Sequence, residues 1–263
     1  MKQRILVGIV LLLLMRPASV LAQFIGGASF TGKDSLVATW SGKGSALSFG
    51  LAALGLNPPS LQNLGGVVQL ILGSSYACRW ATADDRWTLI PNSEAEADGL
   101  CQVLYYRRFQ AGEHPPYRFR WFVTAPYDIR TYVIANVSGV DTASSNGGNG
   151  KVLTAKGVRT TEAGDYLMAF YANTGTNNWT PPSKMGIAVK NDYGDSGPSN
   201  FPNLATQAWF YPAGSTGDKA AMVSGRSVEW VADLVAFKPL YRIRPRIVSA
   251  KNPGPIAKDA RAR

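Results

Sequence analysis

The chain has 263 residues, of which 46% are hydrophobic and 17% are charged, so it can bury a core and is not a wholly disordered chain. This composition also excludes a collagen, a coiled coil and a polytopic membrane protein. The formal net charge of +10 is carried by the two ends, with +3 over residues 1–22 and +6 over residues 241–263, which leaves +1 for residues 23–240. A nearly neutral body offers no broad electrostatic surface for nucleic acid, so we expect no nucleic-acid specificity.

Residues 1–22 have the pattern of a secretory signal peptide. A positively charged start precedes an apolar run of 11 residues, Ile5–Met15, and small or compact residues lead up to Ala22. The apolar run is too short to span a bilayer, which needs about 20 helical residues. We therefore expect a mature chain that begins near Gln23, has no transmembrane segment and is secreted to the extracellular space or the periplasm. The alternative is a buried N-terminal strand or helix.

Short apolar runs separated by turn residues are the dominant pattern after Gln23, and they favour β-strands. Charged and aromatic residues alternate over Tyr117–Trp121, and Ser227–Phe237 places its apolar residues on one face. The predicted strands are Val67–Leu72, Leu100–Phe109, Tyr117–Trp121, Thr131–Val137, Tyr166–Tyr171, Leu204–Tyr211 and Ser227–Phe237. The one candidate helix, Leu47–Leu56, is weakened by two glycines.

Glycine- and asparagine-rich segments are predicted to connect these strands, because both residues tolerate positive φ. Three such connections are Ser144–Gly150, Asn173–Asn178 and Asp192–Pro198. Many short strands at near-regular spacing indicate an all-β fold, an antiparallel jelly-roll-like β-sandwich. We expect one domain over residues 23–240, followed by a basic, disordered tail over residues 241–263 that binds acidic polymer or is simply solvated.

The two cysteines, Cys78 and Cys101, are expected to form a disulfide. An even number of cysteines in an exported chain favours pairing, because the compartment is oxidising. The alternative is two buried free thiols. Two cysteines and a single histidine, His114, are too few for a structural zinc site.

Four stretches of the chain resemble a jelly-roll β-sandwich module that recurs in secreted bacterial and phage-associated surface proteins. They are Gly66–Leu72 with Arg86–Ile90, Leu104–Arg107 with Tyr117–Trp121, Tyr132–Asp141, and Trp179–Pro182 with the closing strand Ser227–Leu240. The resemblance covers residues 60–240. It implies an extracellular, surface-associated or adhesive role with no settled ligand, and it supplies no catalytic residues.

Catalytic patterns are scarce in this sequence, so we expect a protein that is not an enzyme. A nucleophilic triad needs a histidine, and His114 lies in a loop-like segment with no Gly-x-Ser-x-Gly motif near it. Glycoside hydrolysis needs only two carboxylates, and an acidic cluster could supply them in a hydrolase or lyase. Its members are Asp84, Asp85, Glu94, Glu96 and Asp98. The alternative interpretation of this cluster is a solvated polar loop.

Two loops carry the candidate binding residues. Trp179, flanked by Asn177 and Asn178, is a candidate platform for a sugar ring, since sugars stack on flat aromatic side chains while amides bind their hydroxyls. Tyr193 is a second candidate platform. The alternative for such loop aromatics is that they fold back and cap the core. Trp121 and Trp230 alternate within strands and are expected in the core.

Oxygen-bearing side chains in the second loop suggest a calcium site. Asp192 and Asp195, with Asn191, could hold a structural Ca²⁺, which prefers oxygen ligands. No other cofactor is indicated by the sequence. Taken together, the sequence favours a glycan-binding or cell-surface adhesion module. The alternatives are a structural or assembly protein of a surface complex and a carbohydrate-active hydrolase or lyase.

Overall fold

The computed structural model describes residues 29–30, 36–49, 64–84, 86–110, 117–175, 178–191, 201–210 and 212–240. These residues are almost entirely β-strand, with one short 3-10 helix at Cys78–Trp80. The strands are β1 (Ser29–Phe30), β2 (Leu36–Phe49), β3 (Leu64–Leu72), β4 (Thr82–Ala83), β5 (Thr88–Ala97), β6 (Leu100–Arg108), β7 (Tyr117–Ala135), β8 (Val137–Gly150), β9 (Val152–Ala155), β10 (Asp165–Asn173), β11 (Trp179–Thr180), β12 (Gly186–Asn191), β13 (Asn203–Phe210), β14 (Lys219–Val223) and β15 (Val228–Pro239).

Three antiparallel sheets contain these strands, and they confirm the predicted all-β sandwich. Sheet A has the order β1-β7-β3-β6-β5, and β2 and β4 also pair with β7. Sheet B has the order β12-β13-β10-β15-β8, and sheet C has the order β11-β14-β9. The predicted signal peptide, residues 1–22, and the predicted tail, residues 241–263, lie outside the described residues.

Each sheet is apolar where it meets a neighbour, and the core therefore lies in layers. One cluster packs between sheets A and B and includes Val67, Tyr132, Phe170 and Phe237. A second cluster packs between sheets B and C and includes Trp230, so the core position predicted for this residue is confirmed. A third cluster covers the outer face of sheet A and contains the equally buried Trp121.

A chain of buried polar side chains crosses the layer between sheets A and B. Tyr132 donates its hydroxyl proton to Gln69 Oε1 at 2.7 Å, Gln69 Nε2 donates to Gln102 Oε1 at 2.6 Å, and Gln102 Nε2 donates to Asp233 Oδ2 at 2.6 Å. All four side chains are fully buried. Burial raises the pKa of Asp233 well above its ordinary value, although the bond from Gln102 acts in the opposite direction. Burial therefore favours the protonated form of Asp233.

Two segments differ from their predicted structure. Ser144–Gly150, predicted as a turn, is the second half of β8 and pairs with β15 along its length. Residues 47–49 of the candidate helix are strand, and residues 50–56 lie outside the described residues. Glycine is required at position 147 because β8 meets β5 of sheet A there: a Cβ at Gly147 would lie 1.9 Å from the carbonyl oxygen of Glu96.

We expect Gly147→Ala to lower the free energy of unfolding by about 1–3 kcal/mol, because the clash is with backbone and the two sheet edges must separate to relieve it. The matched control is Gly139→Ala in the same strand, where an added Cβ meets nothing within 4 Å. Urea unfolding of the two variants measures the difference. Equal stability of the two variants would contradict the close contact between β5 and β8.

Candidate functional site

The predicted disulfide is present and fixes a short turn to the outer face of sheet A. Cys78 is bonded to Cys101, with Cα atoms 5.9 Å apart, and the backbone N–H of Cys78 also points to Cys101 Sγ at 3.1 Å. Cys101 lies in β6, and both cysteines are buried. The 3-10 helix that begins at Cys78 is therefore held against the sheet by a covalent bond.

Large aromatic side chains project into solvent from this turn. Tyr76 is 68% exposed and Trp80 is 64% exposed, whereas Ala77 and Cys78 between them are buried. The inward side of the turn is thus occupied by small residues that fit against the sheet, and the large rings are left outside. Single exposed apolar side chains are ordinary on a protein surface, but a contiguous patch of them often marks a binding site.

The first half of β7 adds a third exposed ring and two arginines to the same region. Tyr117, Phe119 and Trp121 point into the core, so the alternate residues face solvent. The solvent-facing residues are Arg118, Arg120 and Phe122, and Phe122 is 80% exposed.

The pairing of β4 with β7 brings the turn and these residues together. Thr82 is paired with Arg120 and Ala83 with Phe119 in an antiparallel register. Continued by two residues, this register leads to Trp80 on one segment and to Phe122 on the other. The 3-10 helix also packs directly against β7. Both exposed rings therefore lie at the same end of this ladder.

An ion pair borders the exposed rings. Arg79 Nε donates to Glu96 Oε1 at 2.8 Å, and its NH2 group donates to Oε2 at 2.7 Å, which is the bidentate geometry. The hydrogen bonds to Glu96 raise the pKa of Arg79 above its usual value. The guanidinium carbon also lies 6.0 Å from the centre of the Tyr76 ring. We call the surface formed by Tyr76, Arg79, Trp80, Arg118, Arg120 and Phe122 the aromatic–arginine face.

Members of the predicted acidic cluster take part in separate local contacts. Asp84 Oδ2 accepts hydrogen bonds from Arg86 NH2 and from the backbone N–H of Arg118, each at 2.9 Å. Burial raises the pKa of Asp84, but these bonds outweigh it and the net shift is downward. Glu96 binds Arg79, and Glu94 and Glu96 lie in strand β5 and not in a loop, whereas Asp98 lies in an exposed turn, as the alternative interpretation has it. Asp85 lies outside the described residues.

The predicted sugar platform at Trp179 is buried in the structure. Trp179 is 6% exposed, belongs to the core between sheets B and C, and lies 6.4 Å from the Tyr171 ring. This placement agrees with the alternative that Trp179 caps the core. Asn178 beside it is exposed, and its backbone N–H bonds Ser224 Oγ at 3.3 Å.

The other predicted site residues lie outside the described residues. They are Asn177, Tyr193, Asp192 and Asp195. The calcium site therefore stays a prediction. Within the described ranges, no group of three or more histidine, cysteine, aspartate or glutamate side chains could hold a metal ion.

A buried carboxyl pair joins strands that are distant in sequence, and sequence reasoning missed it. Asp141 in β8 accepts hydrogen bonds from Thr161, at 2.6 Å from the backbone N–H and 2.5 Å from Oγ1, and Lys238 Nζ lies 3.4 Å from its Oδ1. Asp165, at the start of β10, is fully buried beside it. No sequence signal joins two aspartates on separate strands.

The two carboxyl groups of this pair share one proton at neutral pH. Burial, together with the hydrogen bond and the negative charge of Asp141, raises the pKa of Asp165 to about 8. Burial acts upward on Asp141 as well, but its bonds from Thr161 outweigh this effect and lower its pKa. The proton therefore resides on Asp165.

No family model, curated protein or solved structure matches the chain. Among the described residues, no helix has the length and apolar character needed to cross a membrane.

The proton on Asp165 makes stability depend on pH. The unfolded chain releases this proton near pH 4 and the folded chain near pH 8, so stability is highest below pH 4 for this group and falls as pH rises to 8. Asp233 acts in the same direction. We expect Asp165→Asn, which is neutral at every pH, to lose less stability than the wild type between pH 5 and pH 8.

Thermal unfolding across this pH range measures the effect, with Asp98→Asn in an exposed turn as the control. A wild-type pH profile in Asp165→Asn would contradict the shared proton.

Proposed function

We propose that the protein is a secreted, non-enzymatic β-sandwich that binds glycans at a cell surface or matrix through the aromatic–arginine face. Secretion is supported by the signal-like residues 1–22 and by the disulfide, which persists in oxidising compartments. The resemblance to secreted surface modules points in the same direction.

The observation that carries the proposal is the exposure of Trp80 and Phe122, each close to an anchored part of the backbone. Sugar rings present apolar C–H faces that stack on flat aromatic side chains, and an open surface accepts a polymer chain more readily than a closed cavity does. Trp80 lies in the 3-10 helix that the disulfide anchors, and Phe122 lies two residues beyond Arg120, which pairs with both β2 and β4. Anchored backbone close to both rings limits the conformational entropy that is lost when a ligand binds. The bidentate Arg79–Glu96 pair supplies oriented polar groups for sugar hydroxyls at the border of the rings.

An assembly role is the second candidate, and one observation favours it. Val152 and Met222 face each other across β9 and β14, and each is about half exposed, at 49% and 50%. This apolar pair lies on the outer face of sheet C, on a different sheet from the aromatic–arginine face. Such a pair could pack against another protein of a surface complex.

We expect the double variant Trp80→Ala/Phe122→Ala to bind glycans about 30-fold more weakly than the wild type, because each stacked ring contributes about 1 kcal/mol. The measurement is a polysaccharide array on the full chain, followed by titration of each polymer that binds. The matched control is Val152→Ala/Met222→Ala, which removes two exposed apolar side chains from sheet C.

Unchanged binding in Trp80→Ala/Phe122→Ala would overturn the glycan proposal at this face. Loss of self-association or of matrix assembly in the control variant alone would favour the assembly role instead.

A further inference from the structure

Two arginines of β7 precede Phe122 on the aromatic–arginine face. Arg118 and Arg120 occupy alternate positions of β7, so both side chains lie on the same side of the ladder, about 7 Å apart along the strand. Their cross-strand neighbours are uncharged and exposed: Ser48 is paired with Arg118, and both Ala46 and Thr82 are paired with Arg120.

Neither of these guanidinium groups has an acidic partner among the described residues, unlike those of Arg79 and Arg86. Arg79 is bound by Glu96 and Arg86 by Asp84. Asp84 does contact Arg118, but through the backbone N–H and not through the guanidinium group. The face therefore displays two positive charges that no carboxylate of the described residues neutralises, on a surface that also carries exposed aromatic rings.

The two arginines and the neighbouring aromatic rings together favour one class of anionic ligand over others. Guanidinium groups bind carboxylates in a planar, bidentate manner, and the aromatic rings beside them accept the apolar face of a sugar. A nucleic acid would require a broad positive surface, whereas Glu96 and Asp84 interrupt this one and residues 23–240 carry only +1. An acidic sugar presents a carboxylate to the arginines and an apolar ring face to the aromatic side chains, so it needs only a few positive charges on the protein.

We infer that the ligand of the aromatic–arginine face is an acidic polysaccharide, whose carboxylates are bound by Arg118 and Arg120 while its sugar rings stack on Trp80 and Phe122. This inference rests on the proposed function and specifies its ligand class.

The experiment compares each acidic polymer with its own carboxyl-reduced form, which keeps the linkage and removes the charge. The probes are polygalacturonate, alginate and hyaluronate, titrated against the full chain at about 0.15 M salt, where distant charges are screened. The test variant is Arg118→Gln/Arg120→Gln. The matched control is Lys151→Gln/Arg226→Gln, which removes two exposed positive charges elsewhere and leaves the basic residues 241–263 unchanged.

We expect the wild type and the control to bind at least one acidic polymer tenfold or more tightly than its reduced form. The test variant should bind the two forms equally, and Trp80→Ala/Phe122→Ala should bind both weakly. Selectivity that persists in Arg118→Gln/Arg120→Gln, or a wild type that binds none of the acidic polymers, would overturn the inference.

The proposed function fails separately, if Trp80→Ala/Phe122→Ala binds neutral glycans as the wild type does. Anionic lipid vesicles, made with 30% phosphatidylserine, provide a further arm. Arginine-dependent binding to these vesicles without binding to any polysaccharide would overturn the inference in favour of a membrane surface.

Discussion

The segment between β3 and β5 crosses the outer face of sheet A, and its position depends on one covalent bond. Cys101 is a buried residue of β6, so its bond to Cys78 holds the middle of the segment on the sheet. Trp87 holds the far end, with its ring 5.6 Å from Tyr117 and 5.7 Å from Phe119. Between these anchors, β4 pairs with β7. The segment that carries the exposed Tyr76 and Trp80 is therefore anchored to the sheet and is not a free loop.

Strand β7 links this surface to the rest of the sandwich. Its second half lies within sheet A beside β3, and its first half pairs with β4 and with the end of β2. The strict alternation of buried aromatic and exposed residues in the first half gives the core Tyr117, Phe119 and Trp121, and gives the solvent Arg118, Arg120 and Phe122. The same residues that close the outer core therefore determine which side chains are displayed. Stability and the proposed binding surface depend on one strand.

Sequence patterns predicted the elements that follow from local rules. Alternation located the core tryptophans Trp121 and Trp230, and the cysteine count located the disulfide. The turn predicted from composition at Ser144–Gly150 is wrong, because this segment is a strand paired with β15. Its glycine at position 147 permits the close approach of β5.

The candidate site was harder to predict, since exposure is a tertiary property. Trp179 in a polar stretch belongs to β11 of sheet C and packs into the core between sheets B and C, whereas Trp80 is exposed because the disulfide turns its neighbours inward. The sequence shows Arg118 and Arg120 in an alternating strand, but only the structure shows that Asp84 and Glu96 bind other arginines and that no described carboxylate pairs with these two side chains. The Asp141–Asp165 pair likewise depends on the placement of β8 beside β15 and of β15 beside β10.

The most direct test is hydroxyl-radical footprinting of the full chain with and without saturating acidic polysaccharide, read by mass spectrometry. Exposed aromatic and sulfur-containing side chains react readily, so Tyr76, Trp80 and Phe122 report on the aromatic–arginine face while Met222 reports on sheet C. The account predicts that the ligand protects Trp80 and Phe122 and leaves Met222 as reactive as before. Protection of Met222, or of residues 241–263 alone, with Trp80 and Phe122 still fully reactive, would contradict it.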